Sequence, residues 1–317
     1  MNTSANDYSS QTDDLVVPDD LARTIVNLYG AKGIEWLNRL PALIAECERR
    51  WSVAALSPLD NLSFNYIAPA VGADGREVIL KLGVPNPELL TEIEALRLYD
   101  GRGCVRLLAA DPDQGAILLE RLRPGSTLST VSDDQQATSI AAGVMRQLWR
   151  TVPSEHPFPL VGKWATGLGR LRARFRGTTG PLPQALVEKA ESLFEELLAS
   201  MAEPVLLHGD LHHYNILAAE REPWLAIDPK GIVGEPAYEV GALLRNPFPQ
   251  LLDMPQPGRI LARRVDQLTE LLGFDRLRIV GWGTAQAVLA AWWCIEDNTL
   301  GWEKFIACAE LLATLGA

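Results

Sequence analysis

The chain has 317 residues, 47% of them hydrophobic and 22% charged, and its formal net charge is -11. A chain of this length can bury roughly three quarters of its unfolded surface in two domains or lobes, and no apolar run reaches the roughly 18 residues that a membrane-spanning helix needs. The acidic balance argues against nucleic acid as a partner, because binding phosphate backbone takes a basic surface. It permits a cationic small-molecule substrate. Cys47, Cys104, Cys294 and Cys308 form no CxxC and read as reduced thiols, not as a disulfide framework or a zinc site.

Residues 1–20 open as "MNTSANDYSSQTDDL", polar and acidic, without the cationic start and apolar core of a signal peptide. The expectation is a disordered tail on a cytoplasmic protein. From Leu21 to Trp51 apolar and charged positions recur at helical spacing, with Pro41 as a break. "LSFNYIAPAV" and "REVILKLGV" are β-rich, and the "GADG" between them is turn chemistry, which predicts a hairpin. "PELLTEIEALRLY" puts Leu89, Ile93 and Leu96 on one helical stripe; "VRLLAAD" and "GAILLERL" read as two more strands around a turn at Pro112. Pro124 and Gly125 mark a linker. From Asp133 onward the pattern is mostly helical, apart from the short apolar segments "PVLLH" and "WLAID". The fold class expected is α+β: a small β-rich lobe over 21–122, built as a sheet crossed by one helix, then a larger helical lobe over 123–317.

Chemistry concentrates in "VLLHGDLHHYNIL", which holds three of the four histidines. His208, Asp210, His212 and His213 could ligate zinc by residue type. Ligands so close in one loop need a further ligand from distant chain, and neither His156 nor any cysteine pattern provides it. The other pattern is His208-x-Asp210 followed by Asn215, the H-x-D-x-x-x-x-N spacing of a kinase catalytic loop. There Asp210 accepts the proton of an attacking hydroxyl, and Asn215 faces a nucleotide and its magnesium. "WLAIDPKG" ends an apolar strand on Asp228, and a short hairpin would return Asp228 beside Asn215 as the second magnesium ligand. "VILK" ends on Lys81, a lysine flanked by apolar strand residues, suited to hold the α- and β-phosphates. Its orienting acid should stand on the next helix: Glu92, with Glu94 in reserve. "AILLERLRPG" leads through Glu120 and Leu122 into the linker, where main-chain groups can meet an adenine edge. The arginines of "GRLRARFRG" read as a solvated basic face, and Trp292, Trp293 and Trp302 as helix-packing core.

In this order of motifs the sequence resembles the aminoglycoside phosphotransferases. "HGDLHHYNIL" with "AIDPKGIVGEPAYEVGALLRNP" looks most like the streptomycin 6-phosphotransferase, or aminoglycoside/hydroxyurea resistance kinase, group. The resemblance implies a two-lobed protein-kinase-like fold and transfer of the γ-phosphate of ATP, with Mg²⁺, to a hydroxyl of a streptomycin-like antibiotic. It implies Asp210 as base, Asn215 and Asp228 as metal ligands, and Lys81 with Glu92 as the phosphate-positioning pair. No G-x-G-x-x-G loop lies near the first strands; "PLDNLSFN" stands there, with Ser63 the plausible phosphate donor, and GTP remains open beside ATP. Activation-loop signals are missing, so no protein substrate is expected. A polycationic acceptor calls for carboxylates in the helical lobe, and Glu235, Glu239, Glu296 and Asp297 are the candidates. Rival readings are kinases of choline, homoserine, methylthioribose or a sugar, and a nucleotide-binding pseudokinase.

Overall fold

Alternation along the first long strand sets the sheet: Tyr66, Ala68 and Ala70 are buried on one face. The structure, a computed structural model, describes residues 17–60, 62 and 64–316. Ser63 and most of the expected tail lie outside the described residues, and a helix already starts at Asp19, inside the span expected to be tail. The chain divides into two compact units: residues up to Asn86 with Leu108–Arg121, and Pro87–Leu107 with Leu122–Ala317.

In the first unit, α1 (Asp19–Tyr29) and α2 (Ala31–Trp51) precede β1 (Val53–Ala55), β2 (Tyr66–Gly72), β3 (Glu77–Leu82), β4 (Leu107–Asp111) and β5 (Ala116–Glu120). The strands form one sheet in the order β1-β2-β3-β5-β4, and the expected hairpin pairs Val71 with Glu77. The α2 helix runs straight through Pro41, so the expected break there does not occur. Trp36, Leu40 and Ile44 of α2, with Leu21 and Ile25 of α1, pack on Tyr66, Ala68, Leu80 and Leu82 of the sheet. Burial of the leucines and isoleucines among these contributes on the order of 1.5–3 kcal/mol each before entropy is counted.

The second unit begins with α3 (Pro87–Tyr99). Sequence reasoning assigned this helix to the first lobe; it groups instead with the second unit, where Thr91 Oγ1 donates to Lys230 O at 2.7 Å and Glu88 pairs with Lys230. Then come β6 (Pro124–Thr127), α4 (Asp134–Leu148), α5 (Val161–Ala165), α6 (Gly167–Arg174), α7 (Gln184–Ala199), β7 (Val205–Leu207), β8 (Ile216–Ala219), β9 (Trp224–Ala226), β10 (Ile232–Gly234), α8 (Val240–Leu244), α9 (Pro257–Leu272), α10 (Arg276–Glu296) and α11 (Trp302–Thr314). The Pro124-Gly125 segment expected as a linker is β6, paired with β8 through Pro124–Ala219 and Thr127–Leu217. Asp133 caps α4 by accepting from Gln135 N and Gln136 N. The α10 helix is apolar nearly all round, and every residue from Ile279 to Trp292 is buried, as a helix through the centre of a core must be. Trp282 and Trp292 pack there with Leu168, Leu186, Phe194 and Tyr238.

Candidate active site

The loop from His208 to Asn215 leaves β7, which pairs with β10, and re-enters as β8. Its start is clamped. The backbone N–H groups of His208 and Gly209 donate to the two oxygens of Glu239 at 2.7 and 2.9 Å, and Lys230 N donates to His208 O at 2.8 Å. His208 Nδ1 accepts from Asp210 N at 3.2 Å, so its proton sits on Nε2, which donates to Ile227 O at 2.7 Å. Burial pushes the His208 pKa down to about 4, in keeping with that neutral tautomer. Gly209 has φ +86°, and a Cβ there would lie 2.8 Å from Ile232 Cγ2 and 3.1 Å from the Trp164 ring, so only glycine fits.

These clamps present Asp210, whose side chain is 28% exposed. Its Oδ1 accepts from Arg245 Nη2 at 2.9 Å, and its Oδ2 lies 3.5 Å from His212 Nε2. Burial alone would raise its pKa; His212 first, then Arg245 and Lys230, outweigh burial and hold the carboxyl well below its ordinary value. Asp210 is therefore an ionised, partly exposed carboxylate that can accept a hydrogen bond from a hydroxyl. Arg245 is buried, and its Nη1 donates to Gln286 Oε1 at 3.1 Å.

The hairpin of β8 and β9 pairs Ile216 with Ala226, and one step further Ile227 N donates to Asn215 O at 2.9 Å. The tight return anticipated from sequence thus sets Asn215 opposite the residue before Asp228. Asp228 adopts φ +58°, an uncommon left-handed turn. Asn215 Nδ2 donates to Asp210 O at 2.9 Å, which leaves the amide oxygen Oδ1 as the atom for a cation. One carboxylate with one amide oxygen is a donor set that suits magnesium, which prefers a few protein oxygens plus phosphate oxygens.

Lys81 is 2% exposed on β3, between Ile67 of β2 and Ile117 of β5. Glu92 is buried on α3 in the other unit; burial alone would lower the Lys230 pKa, but Glu88 first, then Asp210 and last Glu92 raise it above the ordinary lysine value. Glu94, the reserve, pairs with Arg97 one turn on. Glu120 ends β5, and Leu122 begins the second unit's longer segment.

The acidic candidates separate. Glu235 and Glu239 are each 1% exposed. Glu235 is engaged by Arg278, Trp282 Nε1 and Ala202 N, and Glu239 by the loop backbone, so the expectation that these two face a substrate is corrected: both are internal fasteners. Burial pushes Glu239 up to about 7, against the pull of its two N–H donors. Glu296, at the end of α10, forms a two-pronged pair with Arg170 at 2.6 and 2.8 Å. Exposed Asp297 has a raised pKa, from burial first and then from the charges of Glu296 and Glu88. His213 is buried 3.5 Å from Arg264, and burial followed by that charge lowers its pKa to about 3. Sequence reasoning missed Arg245, Gln286, Glu88, Lys230 and Arg264. Lys230 and Arg245 stood inside the quoted motif segments, but nothing in their spacing shows what they touch.

The profile of the aminoglycoside/hydroxyurea antibiotic resistance kinase family matches residues 51–298. The chain is 35% identical over 306 residues to a streptomycin 6-kinase of Streptomyces griseus, covering 96% of this chain and 99% of that one. It is 36% identical over 309 residues to a hydroxyurea phosphotransferase of Kitasatospora aureofaciens, covering 93% and 85%. Among solved structures, choline kinase LicA from Streptococcus pneumoniae aligns with TM-score 0.61 at 13% identity, over 89% of this chain and 99% of that one. An aminoglycoside phosphotransferase APH(4)-Ia mutant, in ternary complex with ADP and hygromycin B, aligns with TM-score 0.60 at 11% identity, over 87% and 98%. These structural likenesses establish the protein-kinase-like fold.

Proposed function

The chain belongs to the aminoglycoside/hydroxyurea antibiotic resistance kinase family, and from that premise we propose that it transfers the γ-phosphate of ATP to a hydroxyl of a streptomycin-like aminoglycoside, conferring resistance. The observation that carries the reading is Asp210: an ionised carboxylate on a clamped loop, partly open to solvent, two residues from the His208 that ties the loop to the Asp228 turn. In this reading the acceptor hydroxyl donates to Asp210 and its oxygen attacks the γ-phosphorus. The new P–O bond forms, the bond to the β–γ bridging oxygen breaks, ADP leaves, and the proton ends on Asp210. Asn215 and Asp228 would hold magnesium, which, when bound, offsets the negative charge of the phosphates. Lys81 takes the phosphates, and Asp297 with Glu296 meets the acceptor's cationic groups. GTP is the alternative nucleotide.

A second acceptor, hydroxyurea, is favoured by the 36% identity to the hydroxyurea phosphotransferase. The test is a Mg-ATP consumption screen with streptomycin, hydroxyurea, choline and small polyols, with the phosphorylated product read by mass spectrometry. Streptomycin phosphorylation with little turnover of the others supports the proposal. Turnover of choline or a polyol alone overturns it.

A further inference from the structure

We infer that Gln286 is a positioning residue for the phosphoryl-transfer reaction, acting on Asp210 through Arg245; the inference rests on the reading of Asp210 as the base. The loop backbone is clamped, but the Asp210 carboxylate itself is steered by the Arg245 guanidinium at 2.9 Å. Arg245 has a long side chain that loses orientation unless a second group holds it. That group is Gln286, whose Oε1 accepts from Arg245 Nη1 at 3.1 Å and whose Nε2 donates to Tyr238 O. The bond to the Tyr238 carbonyl fixes which way the amide faces, so its oxygen is turned to Arg245.

Two further observations single out this glutamine. It is 3% exposed in the middle of α10, between Ala285 and Ala287, in a stretch that is otherwise almost wholly apolar. A buried amide is costly there unless both its ends are bonded, and both are. Gly241 on α8 makes the room: a Cβ at that position would lie 2.4 Å from Gln286 Cδ. Gly241 and Arg245 stand four residues apart, one turn of helix, so α8 offers a slot for the glutamine and the residue that ends it offers the guanidinium that the glutamine holds. Asp210, Arg245, Gln286 and the Tyr238 carbonyl form one chain of hydrogen bonds from reacting loop to central helix.

The experiment compares Gln286→Met, similar in size without the hydrogen bonds, with Gln286→Glu, whose protonated carboxyl keeps an acceptor oxygen for Arg245 and an O–H to donate to the Tyr238 carbonyl. For Gln286→Met we expect kcat to fall ~10-fold or more with the KM for ATP unchanged, since a misdirected base costs chemistry and not nucleotide binding. Gln286→Glu should recover most of that loss. A wild-type kcat in Gln286→Met, or an equal fall in both variants, overturns the inference. Should Gln286→Met fail to fold, Gly241→Ala provides the second arm: it displaces the glutamine from its slot and should lower kcat in the same way, and an unchanged kcat there contradicts the inference. A wild-type protein inert with every acceptor, and in hydrolysis of ATP by water, would instead defeat the reading of Asp210.

Discussion

His208 Nε2 donates to Ile227 O at 2.7 Å, and this one bond fastens the loop that carries Asp210 to the turn that carries Asp228. The imidazole does so as a neutral ring, because its other nitrogen is needed as an acceptor for Asp210 N. The three neighbouring histidines of the motif thus divide their work. His208 is a buried fastener, His212 stands beside the Asp210 carboxylate, and His213 packs against Arg264.

The buried histidines set a pH dependence. The His208 and His213 pKa values lie at about 4 and about 3 against 6.5 unfolded, so between these values the unfolded chain binds more protons. Their contribution to stability is complete above pH 6.5 and is lost as pH falls toward their folded values. Glu239, raised to about 7 from 4.5, acts with the opposite sign between pH 4.5 and 7, so comparison with a variant is needed. In His213→Gln the loss of unfolding free energy between pH 7 and pH 4 should be smaller than in wild type by on the order of 3 kcal/mol. Thermal or urea unfolding at both pH values checks this; parallel pH dependences would remove His213 from the role.

Arg264 should matter to stability out of proportion to its distance from the reaction. It is 1% exposed, pairs with Asp134 through Nη2 at 2.5 Å and Nε at 2.9 Å, and donates to Leu243 O and Asn246 O. Burial raises the Asp134 pKa, but the hydrogen bonds and charge of Arg264, then of Arg263, bring it below its ordinary value. Arg264→Ala leaves Asp134 to the exposed Arg263 and takes the side-chain donor from Asn246 O, while Leu243 O keeps Asn246 N, a loss of about 3–5 kcal/mol. A change under about 1 kcal/mol in urea unfolding would contradict the hub role.

Removing Asp228, the carboxylate proposed for magnesium, should uncouple nucleotide from the metal. In Asp228→Ala the gain in nucleotide affinity on adding Mg²⁺ should vanish, because one of the two proposed protein ligands is gone. Calorimetric titration of ADP with and without Mg²⁺ reads it directly. A magnesium effect equal to that of wild type would overturn the assignment.

The two acids at the end of α10 should differ in the acceptor step. Glu296 is already engaged by Arg170, whereas Asp297 is exposed and feels its acidic neighbours. Asp297→Asn should raise the KM for streptomycin ~3–10-fold, more strongly at low salt, with the KM for ATP unchanged. Glu296→Gln should do less directly, but frees Arg170. Equal and negligible effects would mean that both acids merely solvate the helix end.

The parts legible in the sequence are those whose chemistry is local. The β2–β3 hairpin, the helix over 87–99, and the loop and turn bearing Asp210, Asn215 and Asp228 all follow from spacing and turn residues. What was not legible depends on burial by distant chain. Glu235 and Glu239 look like surface acids after a turn, yet Arg278 and the loop backbone claim them. Pro41 reads as a helix break, but packing of Trp36, Leu40 and Ile44 carries α2 through it. Pro124 and Gly125 read as a linker because their partner strand, β8, is about ninety residues away. Gln286 carries no periodic or motif signal, and Arg245, although it lies in the motif segment, shows no partner in its spacing, since their pairing exists only in the folded chain.

The most direct measurement is Mg-ATP-dependent phosphorylation of streptomycin by the wild-type protein and by Asp210→Asn, followed by mass spectrometry and steady-state kinetics. We expect wild-type turnover to a singly phosphorylated product, and a fall in kcat of ~10²–10⁴-fold, about 3–5 kcal/mol of barrier, in the variant, with ADP affinity little changed. No phosphorylated streptomycin from the wild type, or near wild-type turnover in Asp210→Asn, would contradict the assignment of this chain as an aminoglycoside kinase using Asp210 as its base.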